Sequence, residues 1–211
     1  VVCLGRGEES GGFLESVVEA DCGMAMGHCL KGYFFLLMAS GSRRARGPKV
    51  LAAAEESLAG ATPREHAHVE ALKHWAGGDQ ITATRVWEGI LADHPLDVLA
   101  LRLAHHAYFY IGAAGDMLAS VERIIGAWDE SVPSYGFVLG MRSFALEECG
   151  HYTEAEKIGR AAVDLQADDP WAVHAVTHVM EMQDRYAEGI EWICGLESHW
   201  NAANNFRYHL W

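Results

Sequence analysis

The stretch HAVTHVMEMQ, residues 174–183, sets two imidazoles and a carboxylate at His174, His178 and Glu181. On an α-helix, steps of four and seven residues keep three side chains within about 60° of arc, so these three form one stripe. Two histidines at i and i+4 can share a metal ion. The glutamate follows the pair instead of sitting between them, so the H-E-x-x-H helix of metalloproteases is absent. Two imidazoles and one carboxylate with open positions also make the facial set of non-haem iron enzymes, whose ligands need not be helical neighbours. The same groups serve equally well as donors, acceptors and a charge for a bound peptide. His174, His178 and Glu181 are therefore candidates for catalysis and for ligand binding, and the two histidines for holding a divalent metal.

The elements that must carry this stripe are helices. The chain has five prolines and no alternating valine- or threonine-rich runs, and its apolar periodicity is helical nearly throughout. TPREHAHVEAL offers Thr62 as an N-cap with Pro63 at the first helical position, and DDPWAVHAV repeats the device with Asp169 and Pro170. Breaks fall at GPK, GGDQ, GAAGD, DESVPS and CGHY.

The breaks are regular. Turn residues Gly78, Gly112, Gly150 and Asp184 are separated by 34, 38 and 34 positions, and five residues beyond each stand Ala83, Met117, Ala155 and Gly189. A 34-residue helix–turn–helix period is the signature of tetratricopeptide repeats. The segment CGHYTEAEKIGRAAV carries the G-x-Y-x-x-A core of that repeat, and the longer interval holds an insertion at WDESVPS. Other consensus positions are loose, with no Trp–Leu–Gly triplet in any repeat. The expected fold is all-α, an α-solenoid of stacked tetratricopeptide-like hairpins over residues 1–211. Its repeats fall near 64–97, 98–131, 136–169 and 170–203, preceded by helical hairpins over 12–63. A helical pair cannot bury its apolar face alone, so neighbours stack and leave a concave surface.

Resemblance to the tetratricopeptide superfamily implies which side chains line that surface, namely positions 5, 9 and 12 of each first helix. Those are His68, Leu72 and Trp75, then Arg102, His106 and Phe109. Gly140, Phe144 and Glu147 follow, and then His174, His178 and Glu181. The opening stripe thus faces the groove. Phe109, Phe144 and Trp75 there are either exposed apolar surface of the kind that marks binding sites or are covered by a stacked neighbour. In LAHHAYFYIG, His105 falls where the paired helix presses close and reads as a buried histidine with a satisfied hydrogen bond. Tyr108 reads as core, while His66 and His74 fit exposed helix positions equally well.

Composition bounds the partners. A formal charge of −13 argues against nucleic acid or an acidic membrane, because phosphate binding needs a basic stripe. The longest apolar run, YFFLLMA, is far short of the ~20 residues that span a bilayer. Cys3, Cys22, Cys29, Cys149 and Cys194 are scattered, odd in number and free of CxxC pairs, which fits reduced residues in a cytoplasmic protein. No leader pattern opens the chain. Val1 at the start and NNFRYHLW without a cap at the end point to a fragment whose C-terminal part is missing.

The segments HPLDVLALRLAHHAYFYIG, DDPWAVHAVTHVMEMQDRYAEGIEW and FRYHLW closely resemble the tetratricopeptide repeat protein 38-like family, from about AMGHCL to the last residue. The family pattern carries over onto His105, Ala107, Tyr108, Phe109 and Tyr110, onto His174, His178, Glu181 and Met182, and onto His209 and Trp211. His106 departs from it, being aspartate in some relatives. Members are about twice this length, and continue past Trp211 with a Trp–His pair. The resemblance implies architecture and a cytoplasmic setting but no reaction. It also implies that His209 opens the next groove-lining helix beside His174 and His178, so that imidazoles and a carboxylate converge. Two functions follow. One is a module that captures a peptide, protein or small molecule in a groove lined by His68, Trp75, Arg102, His106, Phe109, Phe144, Glu147, His174, His178, Glu181 and His209. The other is a metal-dependent enzyme, hydrolytic or oxidative, with His174, His178 and His209 as ligands and Glu181 as base or outer support.

Overall fold

The computed structural model describes residues 7–38, 46–203 and 206–210, so Cys3 and Trp211 lie outside the described residues. These residues form thirteen α-helices: α1 (Gly7–Ala20), α2 (Ala25–Leu37), α3 (Gly47–Glu56), α4 (Pro63–Ala76), α5 (Gln80–Asp93), α6 (Val98–Tyr110) and α7 (Ala114–Ile124) come first. After a 3₁₀ turn at Ile125–Ala127 follow α8 (Tyr135–Glu148), α9 (Tyr152–Leu165), α10 (Pro170–Met182), α11 (Tyr186–Gly195), α12 (Glu197–Trp200) and α13 (Arg207–Leu210). No strand occurs among the described residues.

The chain divides into two compact units, residues 8–107 and 108–211, with the division inside α6. Within the first, α2 packs on α3, α4 packs on α5, and α2 also meets α4. Within the second, α7 meets α8, α8 meets α9, α9 meets α10, α8 reaches α10, and α10 meets α11. A helix that touches both its successor and the next but one is the contact pattern of stacked helical hairpins, the all-α architecture that the spacing predicts.

The turn residues named from the 34-residue beat all do the same backbone work. Gly78, Gly112 and Gly150 have φ of 87°, 72° and 78°, and Asp184 has φ of 59°. Left-handed backbone lets the chain reverse tightly after a helix and is natural for glycine. At the small-residue positions five further on, Ala83, Met117 and Ala155 are fully buried and Gly189 is buried against Met180. Helix starts follow the expected chemistry too. Thr62 and Glu65 form a reciprocal capping box with Pro63 behind it, and Asp79 accepts from the Thr82 amide at 3.0 Å. Each such cap is worth about 1 kcal/mol.

Close packing fixes α8, α9 and α10 against one another. A Cβ on Gly159 would stand 2.5 Å from Val176 Cγ2 and 2.6 Å from Ser143 Oγ. One on Gly140 would stand 2.6 Å from Asp169 Oδ2 and 3.2 Å from Ala172 Cβ. Ser143 Oγ uses this proximity to donate to the Ala155 carbonyl at 2.8 Å. The core of this unit continues through Leu139, Val163, Val173 and Ile193 to Trp200 and Leu210. Trp200, 1% exposed, donates its indole N–H to the Ile193 carbonyl at 3.2 Å. Leu210 in that core docks α13, which brings His209 back toward α10.

Candidate metal centre

Helix α10 presents its histidines because its other face is spoken for. Asp169 caps it by accepting from the Trp171 amide at 3.1 Å, and Ala172, Val173, Ala175, Val176, Val179 and Met180 are all fully buried. With that apolar face locked, the remaining stripe carries His174 and His178 one turn apart, their ring centroids 4.0 Å from each other. From α13, His209 closes on them: its Nε2 lies 2.9 Å from His174 Nε2. One donor nitrogen from each of His174, His178 and His209 lies within 4.8 Å of the others. Two nitrogens bound to one zinc ion at about 2.0–2.1 Å stand roughly 3 Å apart, so this clustering is on the scale of a ligand set.

The electrostatics favour neutral imidazole at the centre. Burial, followed by the neighbouring His178 and His209 rings, pushes the His174 pKa down to about 2. His174 is 5% exposed, and its Nδ1 is buried without a hydrogen-bond partner. A neutral imidazole is the form that ligates metal. The His178 pKa is instead raised, chiefly by the Glu147 carboxylate beside it. His178 Nδ1 lies 3.6 Å from Glu147 Oε2.

Carboxylates gather on this side of the cluster. Glu147 and Glu148, at the end of α8, bring one oxygen each within 4.8 Å of one another and of a His178 nitrogen. Glu147 is buried at 6% exposure, while Glu148 is exposed. Burial and the Glu147 charge raise the Glu148 pKa. Glu181 is exposed and acts on His178 through its charge, not as part of either donor group. Aromatic rings wall the histidines: Phe144 lies 5.7 Å from His174 and 6.3 Å from His178. Trp171 stacks on Phe206 at 3.9 Å, and Phe206 sits 5.3 Å from His174. Phe109, 44% exposed, leans on Phe144 at 5.4 Å.

Of the sequence candidates, residues 108–211 thus bring together Phe109, Phe144, Glu147, His174, His178 and His209. In residues 8–107, His68 is fully buried. Its Nε2 donates to Asp97 Oδ2 at 3.0 Å, while its carbonyl accepts from Tyr33 Oη at 2.6 Å. Tyr33 accepts in turn from the Trp87 indole at 3.1 Å, and Arg64 Nε reaches the same Asp97 oxygen at 2.6 Å. Burial pushes the pKa of the neighbouring Cys29 thiol up to about 12. Trp75 is half-buried, edge-on to Trp87 at 5.5 Å and 6.0 Å from His106. Half-buried Arg102 acts on His105 and His106 by its charge. His105 is buried as its helix position predicts.

Glu148, Trp171 and Phe206 beside the histidines, and Tyr33, Arg64, Trp87 and Asp97 around His68, escape sequence reasoning. The Glu147–Glu148 pair carries a faint signal in its doubled charge, and Trp171 and Phe206 stand 35 residues apart, the spacing of His174 and His209 and about one period of the repeat.

No family model matches the chain. Two solved structures resemble it at the level of the backbone. One, a mutant of MamA, is 18% identical over 82% of this chain and 98% of that one, with a TM-score of 0.49. The other, titled MamA MSR-1 C2, is 18% identical over 88% of this chain and 97% of that one, with a TM-score of 0.49. Nothing about this chain's chemistry follows from likeness at that level. Among the described residues no helix is long and apolar enough to cross a membrane.

Proposed function

We propose that this chain is a divalent-metal protein of the helical-repeat class, with a three-histidine centre of the kind that supports metal-assisted hydrolysis. The observation that carries the reading is the convergence of His174, His178 and His209 within 4.8 Å, from two helices. Three protein ligands leave a coordination position open, as catalytic zinc sites do and structural four-ligand sites do not. A metal bound there supplies a Lewis acid and lowers the pKa of a coordinated water. The chain supplies the rest. The buried apolar face of α10 holds two ligands, Leu210 anchors the third, and Phe144, Trp171 and Phe206 exclude solvent from one side. Glu147 and Glu148 place carboxylates beside His178 for orienting or accepting a proton.

The test is elemental analysis of the purified protein, followed by titration with Zn²⁺ and with Co²⁺ as a coloured probe. About one ion per chain is expected. The His174→Ala and His209→Ala proteins should lose it while the far-ultraviolet circular dichroism persists. Substoichiometric metal after equilibration with excess of both ions would refute the proposal.

A second reading is capture of a peptide or small molecule by the aromatic surface next to the centre. Phe109 is 44% exposed and Tyr208 is 67% exposed, in the same unit as the histidines. On the quoted segments, membership of the tetratricopeptide repeat protein 38-like family and a cytoplasmic setting are part of the same proposal. The free cysteines Cys22, Cys29, Cys149 and Cys194 agree with that setting.

A further inference from the structure

We infer that Glu147 is a positioning residue of this centre. Its carboxylate holds His178 by Nδ1 and thereby turns Nε2 to the ion. The inference rests on the metal reading above and concerns how the ligand set is presented.

Glu147 is 6% exposed, yet its Oε2 is buried without a hydrogen bond. A buried carboxylate needs a compensating partner. Among the described residues the basic group paired with it is His178, with Nδ1 3.6 Å from Oε2. Arginines of the same unit pair with other carboxylates: Arg142 with Glu122 and Glu154, Arg160 with Glu156, and Arg185 with Glu156 and Glu188.

The chemistry of that pair selects a tautomer. An ionised carboxylate only accepts, so a ring nitrogen that closes the 3.6 Å gap to it does so by donating its proton. With Nδ1–H aimed at Glu147, the lone pair of His178 sits on Nε2. A carboxylate behind a ligand histidine orients the ring and raises its basicity, and removing such a partner costs 10- to 100-fold in metal affinity. Rigid support suits the role. Glu147 lies in the last turn of α8, one turn after Phe144, which is 8% exposed and packs against both His174 and His178. Glu148 and Glu181, both exposed, have no such hold.

Zn²⁺ affinity, measured by competition with a chromophoric chelator, and ¹⁵N NMR of the histidine rings test the inference together. We expect one Zn²⁺ per chain and a loss of about 10- to 100-fold in Glu147→Gln. Glu147→Asp should restore part of it, with Glu181→Gln within about threefold of the parent. In the metal-free protein, at a pH where the ring is neutral, His178 should carry its proton on Nδ1, and this preference should vanish in Glu147→Gln. Three results would overturn the inference: unchanged affinity in Glu147→Gln, coordination of His178 through Nδ1, or two Zn²⁺ per chain with one lost in Glu148→Gln. The last would mean that the two glutamates hold a cation of their own. Absence of Zn²⁺ binding in the parent with the Nδ1–H preference intact would sink the metal centre while upholding the grip of Glu147 on His178.

Discussion

Replacing Asp97 by alanine tests whether the buried network of residues 8–107 is a structural staple. Asp97 does two jobs from one carboxylate, and it is 7% exposed. Its Oδ1 accepts from the Ala100 amide at 2.9 Å, capping the first turn of α6. Its Oδ2 accepts from His68 Nε2 at 3.0 Å and from Arg64 Nε at 2.6 Å on α4. Loss of the cap costs about 1 kcal/mol. Loss of the acceptor strands the Nε2–H of a fully buried histidine, at about 1–3 kcal/mol. The Arg64 side chain is 43% exposed, so it returns to water and adds little. The total is about 2–4 kcal/mol, a fall of roughly 5–15 °C in melting temperature for a chain of this size. Asp97→Asn keeps the capping oxygen, and its amide can donate to His68 if the ring proton moves to Nδ1, so it should lose about half as much. Arg64→Ala should stay within about 1 kcal/mol. Urea unfolding followed by circular dichroism supplies the numbers. An Asp97→Ala protein as stable as the parent would show that Asp97 does not join α4 to α6, and an Arg64→Ala protein equally damaged would move the weight of that join from His68 to the Arg64 ion pair.

Two further outcomes follow from other parts of the fold. Gly150→Ala should destabilise by about 1–2 kcal/mol because φ is 78° there. Asp184→Gly should be neutral to slightly stabilising at φ of 59°, the relief offset by the lost bond from Tyr186 Oη at 2.7 Å, and both can be read from urea midpoints. For pH, burial holds the His105 pKa well below its ordinary value of 6.5, so the unfolded chain binds the extra proton first. Stability from this group is whole above pH 6.5 and falls by up to about 1.4 kcal/mol per unit of pH below that. His105→Leu should flatten the stability–pH slope between neutrality and pH 5 in urea titrations, and an unchanged slope would assign the acid sensitivity elsewhere.

The fold was legible because its period is written in backbone chemistry. Gly78, Gly112, Gly150 and Asp184 occupy left-handed turns, and a residue type tolerated in that conformation is visible in a bare sequence. The same holds for Thr62 with Glu65 and for Asp169 with Pro170, where a short polar side chain must stand one position ahead of a helix. Register, by contrast, leaves the depth of a side chain open. The rule that places His68 and His174 at equivalent positions is blind to what packs above them. One is closed over by Tyr33 and Asp97, and the other meets His209.

The candidate site divides along the same line. Two of the proposed ligands, His174 and His178, were readable because four residues on a helix is one turn, a local fact. His209 came only from family resemblance, since its approach depends on Leu210 and Trp200 sharing a core with Val173. The carboxylate is the instructive case. Periodicity favours Glu181, which shares a stripe with the histidines. Yet a side chain three residues beyond His178 on its own helix runs along the surface, and Glu181 is exposed. A neighbouring helix can aim a carboxylate across the gap, and Glu147 on α8 does so at 3.6 Å while staying buried. Gly159 and Gly140 make that possible, by letting α9 and α10 press against α8 at distances that no Cβ would allow. An alanine at either position would force these helices apart. If Glu147 positions His178 as proposed, Gly140→Ala should lower Zn²⁺ affinity in competition with a chromophoric chelator although no proposed ligand is changed. An unchanged affinity would mean that the packing of α8 on α10 does not set that contact.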